Sequence, residues 1–521
     1  MSTESNSSAK RDSENTSRNK HDGSIFSFDS IKPINRRGAN LPKINPYYLP
    51  VEVDKNIVEL ELTKEDAQES KRKTKNKFSF LSLFKKRKSL ALKTQKKLKA
   101  RLKLSTLIVL VCLVVNGGFW GTIAAQEVKS KIDVLRLFSQ GKYLVLFQNN
   151  AEMRPSGGFI GSFAVVEFND YKVKNINFNT NIYKIDNNYT ENHIVTPPEP
   201  LKDISNGRWA MHDANFAVDF PTAAQQVKWF YEQETSDRAD GVIVVNASVI
   251  RDLLGKVGSI EMPDYKATVG YDNFFEELAQ KVEKDYFTDD KSYKANEPKS
   301  ILKDMMPIVF EKAMHQSKVE LLKLAYKSLT EKQILFYSDN TNIEKAILDQ
   351  NWGGKIMEAN KDYLHINMAN ITGGKSSLSV KEKIDYRVKE DKSGRLLGEL
   401  LVTRSHAGTG VFPDGTNHNW ARVLVPAGSE LSLIEIDGKD ILDETKVSQE
   451  AGKTVFGFWL QTKPQTSTML KINYLLPFDK NNYNLIIQKQ PGNLGDNLTV
   501  SFGSNILFDG ILDQDKEISV K

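Results

Sequence analysis

The residues best equipped for chemistry fall in one stretch, Gln148-Asn149-Asn150-Ala151-Glu152-Met153-Arg154-Pro155-Ser156-Gly157-Gly158-Phe159-Ile160-Gly161-Ser162, which joins two apolar, strand-like runs. An arginine presents a rigid fork of N–H donors to an anion, and glycines let backbone N–H groups approach a ligand closely. Arg154 with Asn149, Asn150, Ser156, Gly157 and Gly158 around it is therefore a workable site for a phosphate or pyrophosphate. The same residues also suit a plain β-turn, with Pro155 and Gly157 setting the backbone and Arg154 paired to Glu152 at the surface; glycine-rich turns are common.

A second dense group, Arg208-Trp209-Ala210-Met211-His212-Asp213, adds Arg208 as a further cation for an anionic ligand and sets a histidine beside a carboxylate. Such a pair can act as a base. In an extended segment neighbouring side chains face opposite sides, however, so His212 and Asp213 are expected to be structural. His365, inside the apolar run DYLHINM, reads as a hydrogen-bonded core histidine. Gly373-Gly374-Lys375-Ser376 is not a phosphate loop, because the earlier glycine of that motif would fall on Ala369. A turn or hinge is expected there, and no spacing of His, Cys, Asp or Glu spells a metal site.

These residues need elements to position them. Lys142–Gln148, Gly161–Phe168, Lys172–Phe178 and Asp240–Asn246 have the short apolar pattern of strands. Pro221–Gln233 has helical spacing, with Asp219 as the expected N-terminal cap. Ser248–Leu254, Asn273–Tyr286 and a long amphipathic stretch over Ser300–Leu329 add helices, and Glu127–Gln140 reads as a helical stalk. Alternating strands and helices predict an α/β domain over 126–375. After Gly373-Gly374 the segments become short and strand-like between Gly, Pro, Asn and Asp, which predicts a β-sandwich domain over 376–521.

Leu104–Ala125 (LSTLIVLVCLVVNGGFWGTIAA) carries no charged side chain and is long enough to cross a bilayer at about 1.5 Å per helical residue. Ala124-Ala125 would pass for a signal-peptide cleavage site, but about a hundred polar residues come first, which fits an uncleaved anchor. Residues 1–103 hold 25 Lys and Arg against 12 Asp and Glu, a balance of +13 that leaves −7 for the remainder of a chain whose formal total is +6. The positive-inside bias places residues 1–103 in the cytoplasm as a disordered basic tail and everything beyond 125 outside the cell. Lys71–Lys103, where lysines and arginines alternate with Phe78, Phe80, Leu81, Leu83 and Phe84, suits anionic lipid headgroups. Residues 46–63 are more apolar and read as a linear motif or a transient strand. A mildly acidic outer portion excludes nucleic acid as its partner. The one cysteine, Cys112, lies in the apolar run, so the outer portion is held by packed cores without disulfides.

The string YLVLFQNNAEMRPSGGFIGSFAVVEF resembles the opening of a bacterial family known as domain of unknown function 4012. NFAVDFPTAA, DGVI, Leu253-Leu254 with Gly258 and Pro263, Asp362-Tyr363-Leu364, Asn370 and Gly373-Gly374-Lys375 follow in that family's order, over about 140–430. The early region is distantly similar to the LytR-CpsA-Psr enzymes, which are membrane-anchored in the same orientation and transfer a glycopolymer from a polyprenyl pyrophosphate carrier to the cell wall. That resemblance implies Arg154 stabilising pyrophosphate charge, Glu152 or Asp186 assisting a Mg²⁺ ion, and a polyprenyl-pyrophosphate glycan or wall polymer as partner. The aspartate of the enzymes' Arg-Ser-Asp-Thr motif is missing, since Arg154 is followed by Pro155-Ser156-Gly157. The expected function is thus glycopolymer binding or transfer at the outer membrane face; the alternative is a noncatalytic surface module that binds wall polymer or a protein partner.

Overall fold

The computed structural model describes residues 131–287, 296–372 and 374–520. The basic tail, the apolar run and the first residues of the stalk lie outside them. Among the described residues no helix is long and apolar enough to cross a membrane.

The first domain is mixed α/β. Its sheet joins β1 (Gln140–Arg154), β2 (Gly157–Asn169), β3 (Lys172–Asn179), β4 (Gly241–Asn246) and β7 (Ile334–Ser338) in the order β3-β2-β1-β4-β7. β1 pairs antiparallel with β2 and parallel with β4. Alternating side chains of the sheet feed two cores. On one face Leu144, Leu146, Phe163, Val242 and Val244 pack against α1 (Ile182–Thr190) and α2 (Phe220–Thr235). On the other, Tyr143, Val166, Phe168, Ile243 and Phe336 pack against Val134, Leu137 and Phe138 and against Ile343, Ala346 and Ile347. Buried on both faces, β4 has the unbroken apolar sequence GVIVV. Residues 131–138, expected as part of the helical stalk, pack into this core through Val134, Leu137 and Phe138.

Asp219 caps α2 by accepting from the Thr222 N–H at 3.3 Å, and Pro221 sits in its first turn, both as the sequence predicts. A satellite core unites α3 (Ala247–Val257), the hairpin of β5 (Ile260–Met262) and β6 (Ala267–Val269), α4 (Phe274–Ala279), α5 (Ser300–Ala313) and α6 (Lys318–Thr330). The stretch 300–329 is therefore two helices, interrupted around Gln316. Five elements of this domain were not read from the sequence: α1, the strands β5, β6 and β7, and α7 (Thr341–Asp349). Each is short, and β7 consists of five buried residues whose apolar run carries no periodicity.

The remainder is largely β-sheet. One seven-stranded sheet has the order β13-β12-β16-β10-β9-β18-β19, built from β9 (Val380–Glu390), β10 (Leu396–His406), β12 (Glu430–Ile436), β13 (Lys439–Asp440), β16 (Ser467–Leu475), β18 (Asp496–Phe502) and β19 (Asn505–Leu512). A six-stranded sheet has the order β14-β15-β11-β8-β17-β20, from β8 (Asp362–Asn370), β11 (Asn417–Pro426), β14 (Lys446–Glu450), β15 (Lys453–Thr462), β17 (Asn484–Ile487) and β20 (Lys516–Ser519). Both sheets line one core, with Ile384, Leu400, Val402 and Ile472 meeting Leu364, Val423, Phe458 and Leu485. The β region begins at Asp362 rather than at residue 376, because β8 is the central strand between β11 and β17. The opposite face of the six-stranded sheet lies on the α/β domain: Ala369 and Ile371 enter the α/β core, and Tyr363, Leu424 and Ile486 cluster with Val218 and Ile356. β8 is thus covered on both sides. His365 is buried there and bonds the Gln488 carbonyl through Nδ1 at 2.8 Å, the satisfied core position expected of it.

The tip of the β1–β2 hairpin meets the segment Gln490–Asn493 of the β region. Gly492 accepts from the Asn150 amide at 2.9 Å, and Gln490 donates to the Arg154 and Met368 carbonyls. A Cβ on Gly492, which has φ +79°, would stand 2.8 Å from the Gly157 Cα. The two glycines let two main chains pass at a separation that no side chain allows. We expect Gly492→Ala to destabilise the protein by about 1–3 kcal/mol through backbone strain and this clash, read as a lower urea midpoint, whereas Gly438→Ala, at a positive-φ turn with open space, carries only the conformational strain. Equal midpoints for the two variants would contradict the close approach.

Candidate functional site

The chemically dense stretch around Arg154 is the end of β1 and the start of β2, joined at Pro155-Ser156. Arg154 is 0 % exposed. A buried guanidinium needs opposite charge and acceptors for its N–H groups. Nε and Nη2 reach Asp213 Oδ1 at 3.3 and 3.1 Å, Nη2 lies 3.2 Å from Glu152 Oε1, and Nη1 donates to the Asn370 carbonyl at the end of β8. The guanidinium also sits 5.2 Å from the centroid of the Phe159 ring. The surface turn with an exposed Arg154–Glu152 pair is overturned: the pair exists, but in the interior, because β8 and the Met211–Asp213 turn close over the hairpin.

From Arg154 the network runs both ways. On one side Glu152 accepts from Lys375, whose ammonium also lies 3.1 Å from Glu283 Oε1. On the other, Met211–Asp213 is a 3₁₀ turn, so His212 and Asp213 do not alternate as in a strand. The imidazole is held by both Asp186 Oδ2 (Nδ1, 2.6 Å) and Asp213 Oδ2 (Nε2, 3.3 Å). The extended geometry expected of this segment is therefore corrected. Asp186 also accepts from the Met211 N–H at 3.2 Å, as does Glu234. Phe159 and Tyr183 flank the imidazole with ring centroids 5.8 and 5.3 Å away.

Burial opposes charge on His212, but the carboxylates of Asp213 and Asp186 outweigh it and raise its pKa to about 10, so the ring is an imidazolium donating from both nitrogens. Asp213, despite burial, is held well below the usual carboxylate range by His212 and Arg154. Burial and the neighbouring Asp186 push Glu234 up to about 10, so it carries a proton at neutral pH. Burial also opposes the Lys375 charge, and Glu152 and Glu283 raise its pKa. Lys299, which donates to the Gly161 carbonyl, is lowered to about 7 by burial and by Lys375 nearby. The cations Arg154, His212 and Lys375 thus face the anions Glu152, Asp213, Asp186 and Glu283, and the set has no surplus of positive charge.

The remaining sequence candidates are also placed. Asn150 bridges Gly492 and the Ser248 N–H, Asn149 Oδ1 accepts from the Ala151 N–H, and Ser156 Oγ donates to the Asn215 carbonyl at 3.3 Å. Gly158 donates to Gln148 Oε1, and its own carbonyl accepts from Asn215. Gly157 abuts Gln148, Asn246 and Gly492. Arg208 stands apart from the cluster and donates to the Thr190 carbonyl at 2.7 Å. The glycines expected to cradle a phosphate thus receive neighbouring protein instead. Asp186 joins the cluster through His212, and among the described residues no three His, Cys, Asp or Glu side chains form a group that could hold a metal ion. His212 and Asp213 were read as structural, while Glu234, Lys299 and Glu283 carry no local signal and were missed.

Residues 140–282 match the family model described as protein of unknown function (DUF4012), so a domain of that family occupies this part of the chain. The match holds Glu152, Arg154, Asp186, His212, Asp213 and Glu234, whereas Glu283, Asn370 and Lys375 lie beyond it. No curated protein matches the chain. Among solved structures, a putative nutrient binding protein from Legionella pneumophila is 10 % identical over 23 % of this chain and 50 % of that one, with a TM-score of 0.18. Leukotriene A4 hydrolase from Saccharomyces cerevisiae is 11 % identical over 24 % and 23 %, with a TM-score of 0.16. An M1 zinc metallopeptidase from Deinococcus radiodurans is 11 % identical over 29 % and 40 %, with a TM-score of 0.15. Each likeness spans half of the other chain or less, and at such scores none bears on the fold or activity here.

Two outcomes follow from the network. Arg154→Ala removes one of the two cations that face buried Asp213, leaving His212 alone against it, and is expected to lower stability by about 3–5 kcal/mol in denaturant melts. For His212 the folded pKa lies above the unfolded one, so its stabilisation is complete below pH 6.5 and is lost as pH rises towards 10. The stability difference between wild type and His212→Gln should shrink across that window; a difference independent of pH would show the ring uncharged.

Proposed function

We propose that this chain is a single-pass bacterial envelope protein, anchored by Leu104–Ala125 with its basic tail in the cytoplasm. Its outer portion is a noncatalytic surface module. The α/β domain is the scaffold, and the β region presents the surface that engages wall polymer or a protein partner. One observation carries this reading: Arg154, the cation on which pyrophosphate chemistry would depend, is fully buried and committed to Asp213, Glu152 and the Asn370 carbonyl. An anion could bind there only by displacing two carboxylates from a buried guanidinium, each exchange costing several kcal/mol. The charge balance of the cluster also supports the reading, since transition-state stabilisation of a pyrophosphate uses unneutralised donors aimed at developing charge.

The catalytic alternative comes from the LytR-CpsA-Psr likeness of the early region: transfer of a glycopolymer from a polyprenyl pyrophosphate, with Arg154 on the pyrophosphate and Glu152 or Asp186 on Mg²⁺. It needs the hairpin to part from β8 and the Met211–Asp213 turn. Full-length protein in membrane vesicles, given a polyprenyl-pyrophosphate glycan and Mg²⁺, decides between the two. The expected result is no transfer above protein-free vesicles. Turnover that falls at least a hundredfold in a folded Arg154→Lys variant would establish the enzyme and discard the scaffold.

A further inference from the structure

Asp170 and Tyr171 form the two-residue turn between β2 and β3, with Asn169 paired to Lys172 across it. Both have left-handed backbones, with φ 52° and 55°. This is the mirror-image turn that suits the twist of a hairpin, and its second position favours glycine. Here that position holds a tyrosine. Among the described residues twelve non-glycine residues have positive φ, and Tyr171 is the only aromatic one. A bulky side chain fits this backbone poorly, and no packing offsets the strain: Tyr171 is 46 % exposed and makes no ring contact or side-chain hydrogen bond among the described residues. Strain of this kind at an exposed tip points to a contact outside the chain.

The turn lies at the base of β1. Gln140 pairs with Asn169, and Phe138 packs edge-on against Phe168 with ring centroids 5.2 Å apart, so residues 131–138 share that end of the sheet. The chain reaches it from the apolar run. Lys131 follows Ala125 by six positions, which limits their separation to about 20 Å. β1 and β3 flank β2, about 10 Å from each other, so the turn stands close to where the chain arrives. Ile132, 44 % exposed, adds an apolar side chain there, and β3 opens with the exposed Lys172 and Lys174.

We infer that the β2–β3 turn docks on the outer leaflet of the membrane that holds the chain, with the Tyr171 ring in the interfacial layer and Lys172 and Lys174 at lipid phosphates. The inference rests on the anchor proposed above. A phenol suits that layer because its ring is apolar and its hydroxyl stays wet, and ammonium groups beside it meet anionic headgroups. One ring is a weak contact for a free protein, but the anchor makes the contact intramolecular and so raises its effective concentration. The consequence is an orientation. β1 has 15 residues and rises about 45 Å at about 3.3 Å per residue, so a docked base turns its Arg154 end, and the β region that meets it, away from the lipid.

The test reconstitutes the full chain, carrying Cys112→Ser and one new thiol labelled with an environment-sensitive fluorophore, in vesicles of phosphatidylglycerol and phosphatidylcholine. A nitroxide on the upper acyl chain of the lipid is the quencher. The label at Asp170→Cys should lose at least half of its emission, while the same label at Val411→Cys, an exposed residue of the β region, is unaffected. Adding Tyr171→Gly should cut the quenching at Asp170→Cys at least threefold and leave the urea midpoint equal or higher, since glycine relieves the turn. Tyr171→Trp should keep the quenching. Equal quenching at the two labels, quenching that survives Tyr171→Gly, or a lower midpoint for the glycine variant would overturn the inference. An alkaline wash separates the two proposals. Chain that washes out, yet was quenched beforehand in a Tyr171-dependent way, supports the docking turn and removes the anchor, whereas retained chain without quenching removes the docking turn alone.

Discussion

A guanidinium cannot sit in a protein interior alone, and the Arg154 charge constrains everything around it. Arg154 ends β1, Asp213 ends a 3₁₀ turn between α1 and α2, and Asn370 ends β8 of the other region. Holding one side chain therefore fixes three pieces of chain that are distant in sequence. Breaking the arrangement from any side strands a buried charge, which makes the set cooperative. His212 extends the constraint to α1 through Asp186, and Lys375 extends it to Glu283 in the π-helical turn that follows α4.

The same logic recurs where the α/β domain meets the β region. Lys332, fully buried after α6, pairs with Asp515 just before β20, and Asn351 donates to the same carboxylate. Arg422 of β11 donates to the Phe216 carbonyl and pairs with Glu450. Between these polar ties lie Tyr363, Leu424 and Ile486 of the six-stranded sheet against Val218 and Ile356. Apolar area supplies the adhesion, and the directional pairs set the register at which the two bodies meet. The motif that most invites a catalytic reading, with its arginine and paired glycines, is thus the joint between them.

Much of the fold was legible in the residues. Asp219 followed by Pro221 marked the start of α2, and the apolar run at 241–246 marked β4, because capping chemistry and burial leave local traces. β7, five residues without periodicity, left none, and neither did the membership of β8 in the six-stranded sheet. That strand is apolar because it is covered twice, and a doubly covered strand reads alike whichever domain it serves. The candidate site was legible in kind and not in state. Arg154 beside Glu152 was visible as a charged pair, but its depth was not, since burial depends on what β8 and the Met211–Asp213 turn place above it.

By itself the sequence determined the order of the chemistry: a basic tail, one apolar run, an α/β domain, then strands, with a single arginine set among asparagines and glycines. These follow from composition and from periods of two and 3.6, which are properties of neighbouring residues. Only the tertiary structure decided that Arg154 faces Asp213 rather than solvent, that His212 bridges two aspartates, and that Gly157 makes room for Gly492 rather than for a ligand. Arg154 and Gly157 meet partners 59 and 335 residues away along the chain, and His212 reaches Asp186, 26 residues away, as well as its neighbour Asp213; the energy of a buried charge is set by what the fold places around it.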